Sequence, residues 1–406
     1  MKKKLPILLL LSILPYFWSC EPDDDPQEIF NIGPEVITTP KHILSYDEVI
    51  QEAQGFLHDI NPILTRSEQK KRVISSTWKK SLKSKNSLYY INFSDSLGFV
   101  IISNDPRKGV LGFSLSGNIK QDMIIDNPGL LITLSNLEAF ASEPSCVDSI
   151  DHYEYGEWTS TYYAPNTGYC QVKWRQGNKY IKDQFNYYCP DSASFHCPAG
   201  CVPVATAQLM SMYGYPSSYG SYSFDWTAMR ANSAATAPNG EYYVGRLLQQ
   251  LGLPSNLNVS YHPSGSGASS LNIPQTLQNF GYSQGGSFNW FTHSSIQDLQ
   301  SGYPIIIRGQ ISPSGGGHAW LGHGLLKRER QVTAYGYDGE IVESNIEVFY
   351  YVLCNFGWGG IGDGYYYTNI YATTQGPLFP DPTMGYSSTG EYDFYYSIGA
   401  ITGIRP

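Results

Sequence analysis

The chain has 406 residues, of which only 15% are charged and 14% are aromatic, and it contains 33 Tyr and 40 Gly. This composition excludes an intrinsically disordered chain, which would be rich in charge and poor in aromatic residues. The formal net charge of -9 argues against a general nucleic-acid binder, because such a protein presents a basic surface. The length predicts two to three domains with sizeable cores.

The first 20 residues have the pattern of a targeting segment. A basic start is followed by an apolar run, residues 5–18, that is too short for a comfortable transmembrane helix. The run ends at Ser19-Cys20, so residues 1–20 resemble a bacterial lipoprotein signal with lipid on the Cys20 sulfur. Phe17 departs from the usual Leu of that signal, and an ordinary signal peptide is the alternative. The acidic stretch after Cys20 resembles the surface-export signal of Bacteroidetes lipoproteins.

Residues 21–40 are acidic and contain Pro, which predicts a flexible tether. Residues 41–150 predict a small α+β domain without clustered His, Cys or carboxylate side chains. The S-x-x-E pattern from Ser45 to Glu48 is typical of a helix capping box. Three further runs predict strands and one predicts a second helix: Ser87–Phe93, Gly98–Ser103, Val110–Ser114 and Leu130–Phe140.

Residues 151–406 predict a second domain, rich in Gly and Tyr, that carries the candidate chemistry. A buried helix is predicted to begin at Cys201, with Pro203 in its first turn. Two further helices are predicted at Leu247–Leu253 and Ile296–Leu299. Residues 301–309 predict a buried strand.

Cys201 is the candidate nucleophile. A thiol at a helix N-terminus meets unpaired N–H groups and the positive end of the helix dipole, which favour the thiolate. A buried structural cysteine or half of a disulfide is the alternative. With Cys20 lipidated, six of the seven cysteines remain, and parity does not decide their pairing. A zinc site using Cys197 and Cys201 lacks a second close pair of ligands.

A cysteine nucleophile needs a base, and the base needs a partner that fixes its orientation. His318 is the candidate base, because it follows three glycines and precedes an apolar run. His323, on the same predicted strand, is the competing candidate. An odd offset in a strand places the two on opposite faces. Asn355 has an amide able to accept from an imidazole N–H, and Trp358 could shield that bond from water. Gln176 could form an oxyanion hole with the Cys201 N–H.

These residues occur in the order of a papain-like site. Their local sequences resemble those of the streptopain (C10) cysteine peptidases, and the resemblance covers nearly everything after the tether. Phe356 replaces the usual Trp after Asn355, and residues 177–188 diverge from the family pattern. The matching segments are Gly200–Met210, Gly316–Trp320, Asn355–Gly360 with Asp363–Tyr366, Trp174–Gln176, and the propeptide-like runs Leu88–Phe93 and Gly98–Ser103.

The resemblance implies an α+β, papain-like fold with a helix-bearing lobe and an antiparallel β-barrel-like lobe. Residues 41–150 would be an inhibitory propeptide and residues 151–406 the catalytic domain. The implied activity is that of a secreted or surface-anchored cysteine endopeptidase made as a zymogen. Cys201, His318, Asn355, Gln176 and Trp358 would be its catalytic residues.

The resemblance also implies partners and a location. Proteins or peptides would be the substrates and the propeptide would be an inhibitor, with no metal or other cofactor and no nucleic acid. Contact with the membrane would be through the lipid anchor alone, at the outer membrane. A catalytically silent lipoprotein that binds peptides or an inhibitor in the same cleft is the alternative. A surface glycan-binding lipoprotein is a third reading of the Tyr- and Trp-rich composition.

Overall fold

The computed structural model describes residues 43–60, 72–82, 86–142, 150–191, 195–310, 317–371 and 398–406. The predicted lipidation site Cys20 and the tether 21–40 lie outside these residues. No helix in the described ranges combines the length and the hydropathy needed to cross a bilayer.

The N-terminal part of the chain contains two helices and four strands in the described residues. Ser45 and Glu48 form the predicted capping box, since each side chain bonds the other's backbone N–H. The predicted strand runs Ser87–Phe93 and Gly98–Ser103 pair as an antiparallel hairpin, with its turn at 94–96. The elements are α1 (Tyr46–Asp59), β1 (Ile74–Ser81), β2 (Ser87–Phe93), β3 (Phe99–Ser103), β4 (Val110–Ser114) and α2 (Pro128–Ser142).

The remaining part alternates short strands, helices and two long strands. The predicted helices near 247–253 and 296–299 and the strand after 301 are confirmed. The helices are α3 (Cys201–Tyr213), α4 (Trp226–Ala231), α5 (Tyr243–Gly252), α6 (Ile273–Asn279) and α7 (His293–Gln300). The strands are β5 (His152–Tyr155), β6 (Thr159–Tyr163), β7 (Ser218–Tyr219), β8 (Tyr222–Ser223), β9 (Gln284–Trp290), β10 (Ile305–Gln310), β11 (Gly317–Tyr335), β12 (Ile341–Asn355), β13 (Gly364–Tyr367) and β14 (Gly399–Arg405).

One antiparallel sheet runs through both parts in the order β1-β2-β3-β4-β13-β12-β11-β10-β14-β9, and β5 and β6 also pair with β11. The two parts join where β4 pairs with β13, with Tyr365 opposite Phe113 and Tyr366 opposite Gly112. The rings of Phe113 and Tyr365 stack at 4.9 Å. The predicted α+β class is confirmed.

Two hydrophobic cores lie around this sheet. One contains α3 together with apolar residues of α5 and α6, including Leu209, Leu247 and Leu277. Every residue of α3 from Val202 to Met212 is buried, which places this predominantly apolar helix inside the core rather than at a surface. The other core joins the N-terminal sheet to β11, β12 and β13. Helix α2 packs in this second core and contacts both β2 and β11.

Candidate active site

Cys201 is the first residue of α3, as predicted. Gly200 before it has φ 95°, a conformation that favours glycine. A Cβ at this position would also lie 3.1 Å from the carbonyl oxygen of Ser266. The thiol therefore stands at the helix N-terminus, where unpaired N–H groups and the helix dipole favour negative charge.

Strand β11 brings His318 to the same place. His318 is buried and lies opposite Gly309 of β10, and its imidazole hydrogen-bonds the Cys201 thiol. Burial alone would raise the pKa of this thiol. The charge and hydrogen bond of His318, with backbone hydrogen bonds from Ala319 and Val202, outweigh burial, so the pKa of Cys201 lies below its ordinary value. A thiol with a lowered pKa has the character of a reactive nucleophile.

The other ring nitrogen of His318 is held by the backbone. Nε2 lies 2.9 Å from the carbonyl oxygen of Phe356. Because a carbonyl only accepts, Nε2 donates this hydrogen bond and Nδ1 is left to face Cys201. The prediction that the Asn355 amide accepts the imidazole N–H is therefore wrong. The acceptor is the main-chain carbonyl of the next residue.

Asn355 bonds to other groups because it ends β12 with its side chain directed towards α3. Its oxygen accepts from Gln208 Nε2 at 2.8 Å and from the N–H of Gly357 at 3.1 Å. Its amide nitrogen donates to the carbonyl of Val172 at 2.9 Å. Asn355 therefore fixes the start of the segment that carries Phe356, and it acts on His318 only through that segment.

Two tryptophans enclose the imidazole. The Trp358 ring lies 5.9 Å from the His318 ring at an interplanar angle of 70°. The bond that Trp358 was predicted to shield, between Asn355 and His318, is replaced by the bond from His318 to Phe356. The Trp320 ring lies 6.2 Å from His318 at an angle of 18°. Trp320 was not among the predicted site residues. Its spacing of two from His318 on a strand was the signal, because such residues share a face.

The segment around Gln176 lies between the two halves of the site. The N–H of Ala199 donates to the carbonyl of Gln176 at 2.7 Å. On the other side, Arg175 pairs with Trp358 in an isolated β-bridge. The backbone of Gln176 is thus placed next to the Cys201 turn. Participation of its side-chain amide in an oxyanion hole stays a prediction.

The sequence is similar to two known families. Residues 174–366 match the profile of the Peptidase C10 family, and residues 41–139 match that of the Spi protease inhibitor. Streptopain of Streptococcus pyogenes serotype M1 is 25% identical over 375 residues, which cover 79% of this chain and 81% of that protein. Streptopain of Streptococcus pyogenes serotype M28 (strain MGAS6180) is 24% identical over 376 residues, with the same coverage of both chains.

The fold is that of a solved fragment of Prevotella intermedia prointerpain A. The two superpose with a TM-score of 0.50 at 19% sequence identity, over 82% of this chain and 99% of that fragment. The similarity to the Peptidase C10 family covers residues 174–366, the segment that holds every predicted catalytic residue. These similarities support a cysteine peptidase, and the inhibitor-like match at 41–139 supports a zymogen.

Helix α2 lies directly on the site. A Cβ on Gly129 would lie 2.7 Å from Cδ2 of His318 and 2.5 Å from Cδ1 of Phe356, so only glycine permits this approach. Asn127 donates its side-chain N–H to the carbonyl of Ile361 at 2.8 Å. The inhibitor-like residues therefore cover the imidazole of the candidate base and hold the loop beside it.

The second histidine of β11 serves another place in the peptidase. Nδ1 of His323 accepts from the N–H of Cys170 at 3.2 Å. Burial lowers the pKa of His323 to about 3, so this histidine is neutral at physiological pH. It lines a cavity of about 640 Å³, and residues 114–116 of the N-terminal part line the same cavity. The prediction that His323 and His318 do not serve the same site is confirmed by these contacts.

The peptidase has five cysteines within the described residues, and all are free thiols: Cys170, Cys189, Cys197, Cys201 and Cys354. Burial raises the pKa of Cys170, Cys189 and Cys354 to about 12. Cys201 alone in this group has a lowered pKa, which separates it from the buried structural thiols. The described part of the chain has no group of three or more His, Cys, Asp or Glu arranged to hold a metal ion.

Proposed function

We propose that the chain is a secreted or surface-anchored cysteine endopeptidase that hydrolyses peptide bonds through a thioester on Cys201. The observation that carries this proposal is the Cys201–His318 contact at the start of α3, with the pKa of the thiol below its ordinary value. A thiolate paired with an imidazolium has both the nucleophile and the proton donor that acyl transfer requires.

The two chemical steps follow from this pair. The Cys201 thiolate attacks the carbonyl carbon of the peptide, and the C–N bond breaks as the His318 imidazolium gives its proton to the leaving amine. The acyl group then remains on sulfur as a thioester. In the second step His318 takes a proton from water, the hydroxide attacks the thioester, and the carboxylic acid and the Cys201 thiolate are released.

The negative oxygen formed in each step needs hydrogen-bond donors. The N–H of Cys201 lies at the N-terminus of α3, and the Gln176 side-chain amide is the proposed second donor. The bond between Ala199 and the Gln176 carbonyl supports this role, because it holds the Gln176 backbone two residues from the nucleophile.

The remaining predicted site residues take supporting roles in this proposal. Asn355 fixes the start of the 356–363 loop through Gln208, Gly357 and Val172. Trp358 packs against the imidazole and keeps water from the bond between His318 and Phe356. Neither residue exchanges a proton with the substrate.

The proposal places the zymogen outside the cytoplasm, held by lipid on Cys20 after export. Its support is the sequence pattern of residues 1–20. Cleavage near residue 150 would separate the inhibitor-like residues, and with them the anchor, from the catalytic domain. Radiolabelled palmitate incorporation that is lost in Cys20→Ala would test the anchor separately from the activity.

The test of catalysis uses residues 21–406, incubated with reductant at mildly acidic to neutral pH. We expect self-processing and casein cleavage by the unchanged chain, loss of both in Cys201→Ala, and retention in the matched control Cys197→Ala. Activity that survives Cys201→Ala would rule out this nucleophile. A chain that stays inactive after its N-terminal part has been removed by an added peptidase would favour the silent peptide-binding alternative.

A further inference from the structure

Asp363 contacts the backbone that holds His318, and the roles proposed above do not use it. Its Oδ1 accepts the N–H of Phe356 at 2.9 Å. The carbonyl of the same Phe356 accepts from His318 Nε2 at 2.9 Å. One residue is thereby held at its N–H by a carboxyl group and at its C=O by the imidazole.

We propose that Asp363 is a positioning residue for His318, acting through the backbone of Phe356. The inference rests on the proposed function, because it assumes that His318 is the base of Cys201. Asp363 itself does not touch the thiol or the substrate in this proposal. Its hydrogen bond sets the direction in which the Phe356 carbonyl points, and that carbonyl sets the orientation of the ring.

The loop from Phe356 to Asp363 is rich in glycine, which explains why its two ends need a hydrogen bond to hold them together. We call this Asp363–Phe356 hydrogen bond the clamp. Four glycines in the loop have a positive φ, which gives the chain many accessible conformations when it is not held. The carboxyl group of Asp363 ties the end of the loop to its start across seven residues. The four glycines are Gly357, Gly359, Gly360 and Gly362.

The electrostatics favour a hydrogen-bond role over a charge role. Removal of water from around the carboxyl raises the pKa of Asp363 to about 7, although the Phe356 N–H and the charge of Lys173 act in the opposite direction. A carboxyl group with this pKa is about half protonated at pH 7, and in either form it has an oxygen that accepts an N–H. The other titratable groups that act on it or respond to it are Cys170, Cys354 and Tyr366.

The N-terminal residues hold the same short segment. Ser114 Oγ donates to the Asp363 carbonyl oxygen, and a Cβ on Gly362 would lie 2.5 Å from Cδ2 of Leu130. Two elements of the inhibitor-like part, β4 and α2, thus contact the segment that carries the clamp. Measurements on both the unprocessed and the processed chain are therefore informative.

The test compares Asp363→Ala and Asp363→Asn in residues 21–406. Alanine removes the acceptor, whereas the Asn side-chain oxygen can still accept the Phe356 N–H. Asp363→Leu is a second variant that fills the site without an acceptor, in case the alanine variant does not fold. The matched control is Asp298→Ala, since Asp298 also clamps a backbone N–H, that of Gly403 at 2.6 Å, away from the site.

The first readout is the rate of Cys201 alkylation by iodoacetamide against pH, followed by peptide mass mapping. We expect the rise in rate to move up by about one pH unit in Asp363→Ala, which is about tenfold at a fixed pH, because His318 is no longer held against the thiol. Asp363→Asn should restore most of the rate. This readout needs no peptidase turnover, so a loss of peptide hydrolysis for another reason does not obscure the effect of Asp363 on His318.

The second readout is peptide hydrolysis after processing by a trace of unmodified enzyme. Loss of orientation should lower kcat by up to about 100-fold in Asp363→Ala, with KM nearly unchanged. The inference would be overturned if Asp363→Leu and Asp363→Ala kept the unmodified alkylation profile. It would also be overturned if Asp363→Asn were as impaired as alanine, or if Asp298→Ala moved the profile equally.

Discussion

At the scale of single residues, the site depends on specific contacts between atoms of residues that are distant in the sequence. Cys201 and His318 come from a helix start and a strand start that are more than 100 positions apart, and their contact lowers the pKa of the thiol. The ring of His318 is in turn held by a backbone carbonyl, that of Phe356. A side chain at position 356 is therefore less important to the ring than the direction of its peptide group.

The first prediction concerns the pH dependence of Cys201. The lowered pKa means that the thiolate is populated below the usual thiol range. In His318→Ala burial is no longer opposed by the imidazole, so the pKa of the thiol should rise and alkylation should require a higher pH. The measurement is the pH profile of iodoacetamide labelling of Cys201 in the full chain.

The control for this change is His323→Ala, since His323 lies on the same strand but contacts Cys170. Its Cys201 labelling profile should match that of the unmodified chain. An unchanged profile in His318→Ala would contradict the contact between the two residues.

At the scale of elements, the contact between α2 and the 356–363 loop covers the candidate active site in the zymogen. The helix is predominantly apolar, and it packs between the N-terminal sheet and β11. Its first turn approaches His318 at Gly129, and Asn127 bonds the loop at Ile361. The same helix therefore belongs to the inhibitor-like match by sequence and to the site by contact.

The second prediction is that Gly129→Ala displaces α2 from the site. The added Cβ would lie 2.5 Å from Phe356 Cδ1, and overpacking of this kind costs about 1–3 kcal/mol. We expect lower stability in urea and faster self-processing. The matched control is Gly55→Ala in α1, where a Cβ meets nothing within 4 Å.

The control should be stabilising by up to about 1 kcal/mol, because alanine is the better helix former. Equal behaviour of the two variants would show that the approach of α2 to His318 is not restrictive.

At the scale of the whole molecule, the inhibitor-like and peptidase parts share one sheet and one of the two hydrophobic cores. Strand β4 pairs with β13, so removal of the N-terminal part would leave β13 as an edge. A buried ion pair also crosses the junction: Arg328 of β11 bonds Asp59 of α1 at 2.8 Å, with the arginine side chain only 1% exposed. The rings of Phe56 and Trp158 lie against the same guanidinium.

The third prediction is that Asp59→Asn loosens the N-terminal part. It leaves the buried Arg328 without its carboxylate, and breaking a buried pair costs about 3–5 kcal/mol, with the lower end expected because Asp59 is 30% exposed. Urea unfolding and the rate of self-processing are the measurements.

Glu138→Gln is the control for this variant. It breaks the Lys80–Glu138 pair, in which the lysine is 49% exposed, and exposed pairs contribute about 0–1 kcal/mol. An effect of Asp59→Asn no larger than that of Glu138→Gln would contradict a stabilising role for the pair.

The amino-acid sequence by itself indicated several of the elements and the candidate pair Cys201 and His318. The alternation of strands, the capping box at Ser45 and the helix at Cys201 are local patterns, and local patterns depend on neighbours in the chain. The glycines before Cys201 and His318 also indicated these residues, because a close approach of the backbone favours glycine.

Only the tertiary structure decided the groups that surround the imidazole. Asn355 was the expected acceptor, yet its side chain is directed towards Gln208 of α3, and a carbonyl with no signature in residue type takes its place. The clamp by Asp363 and the approach of Gly129 depend on strands and helices that meet across long sequence separations. Residue type shows what a side chain can bond, whereas the packing of the elements decides which partner it meets.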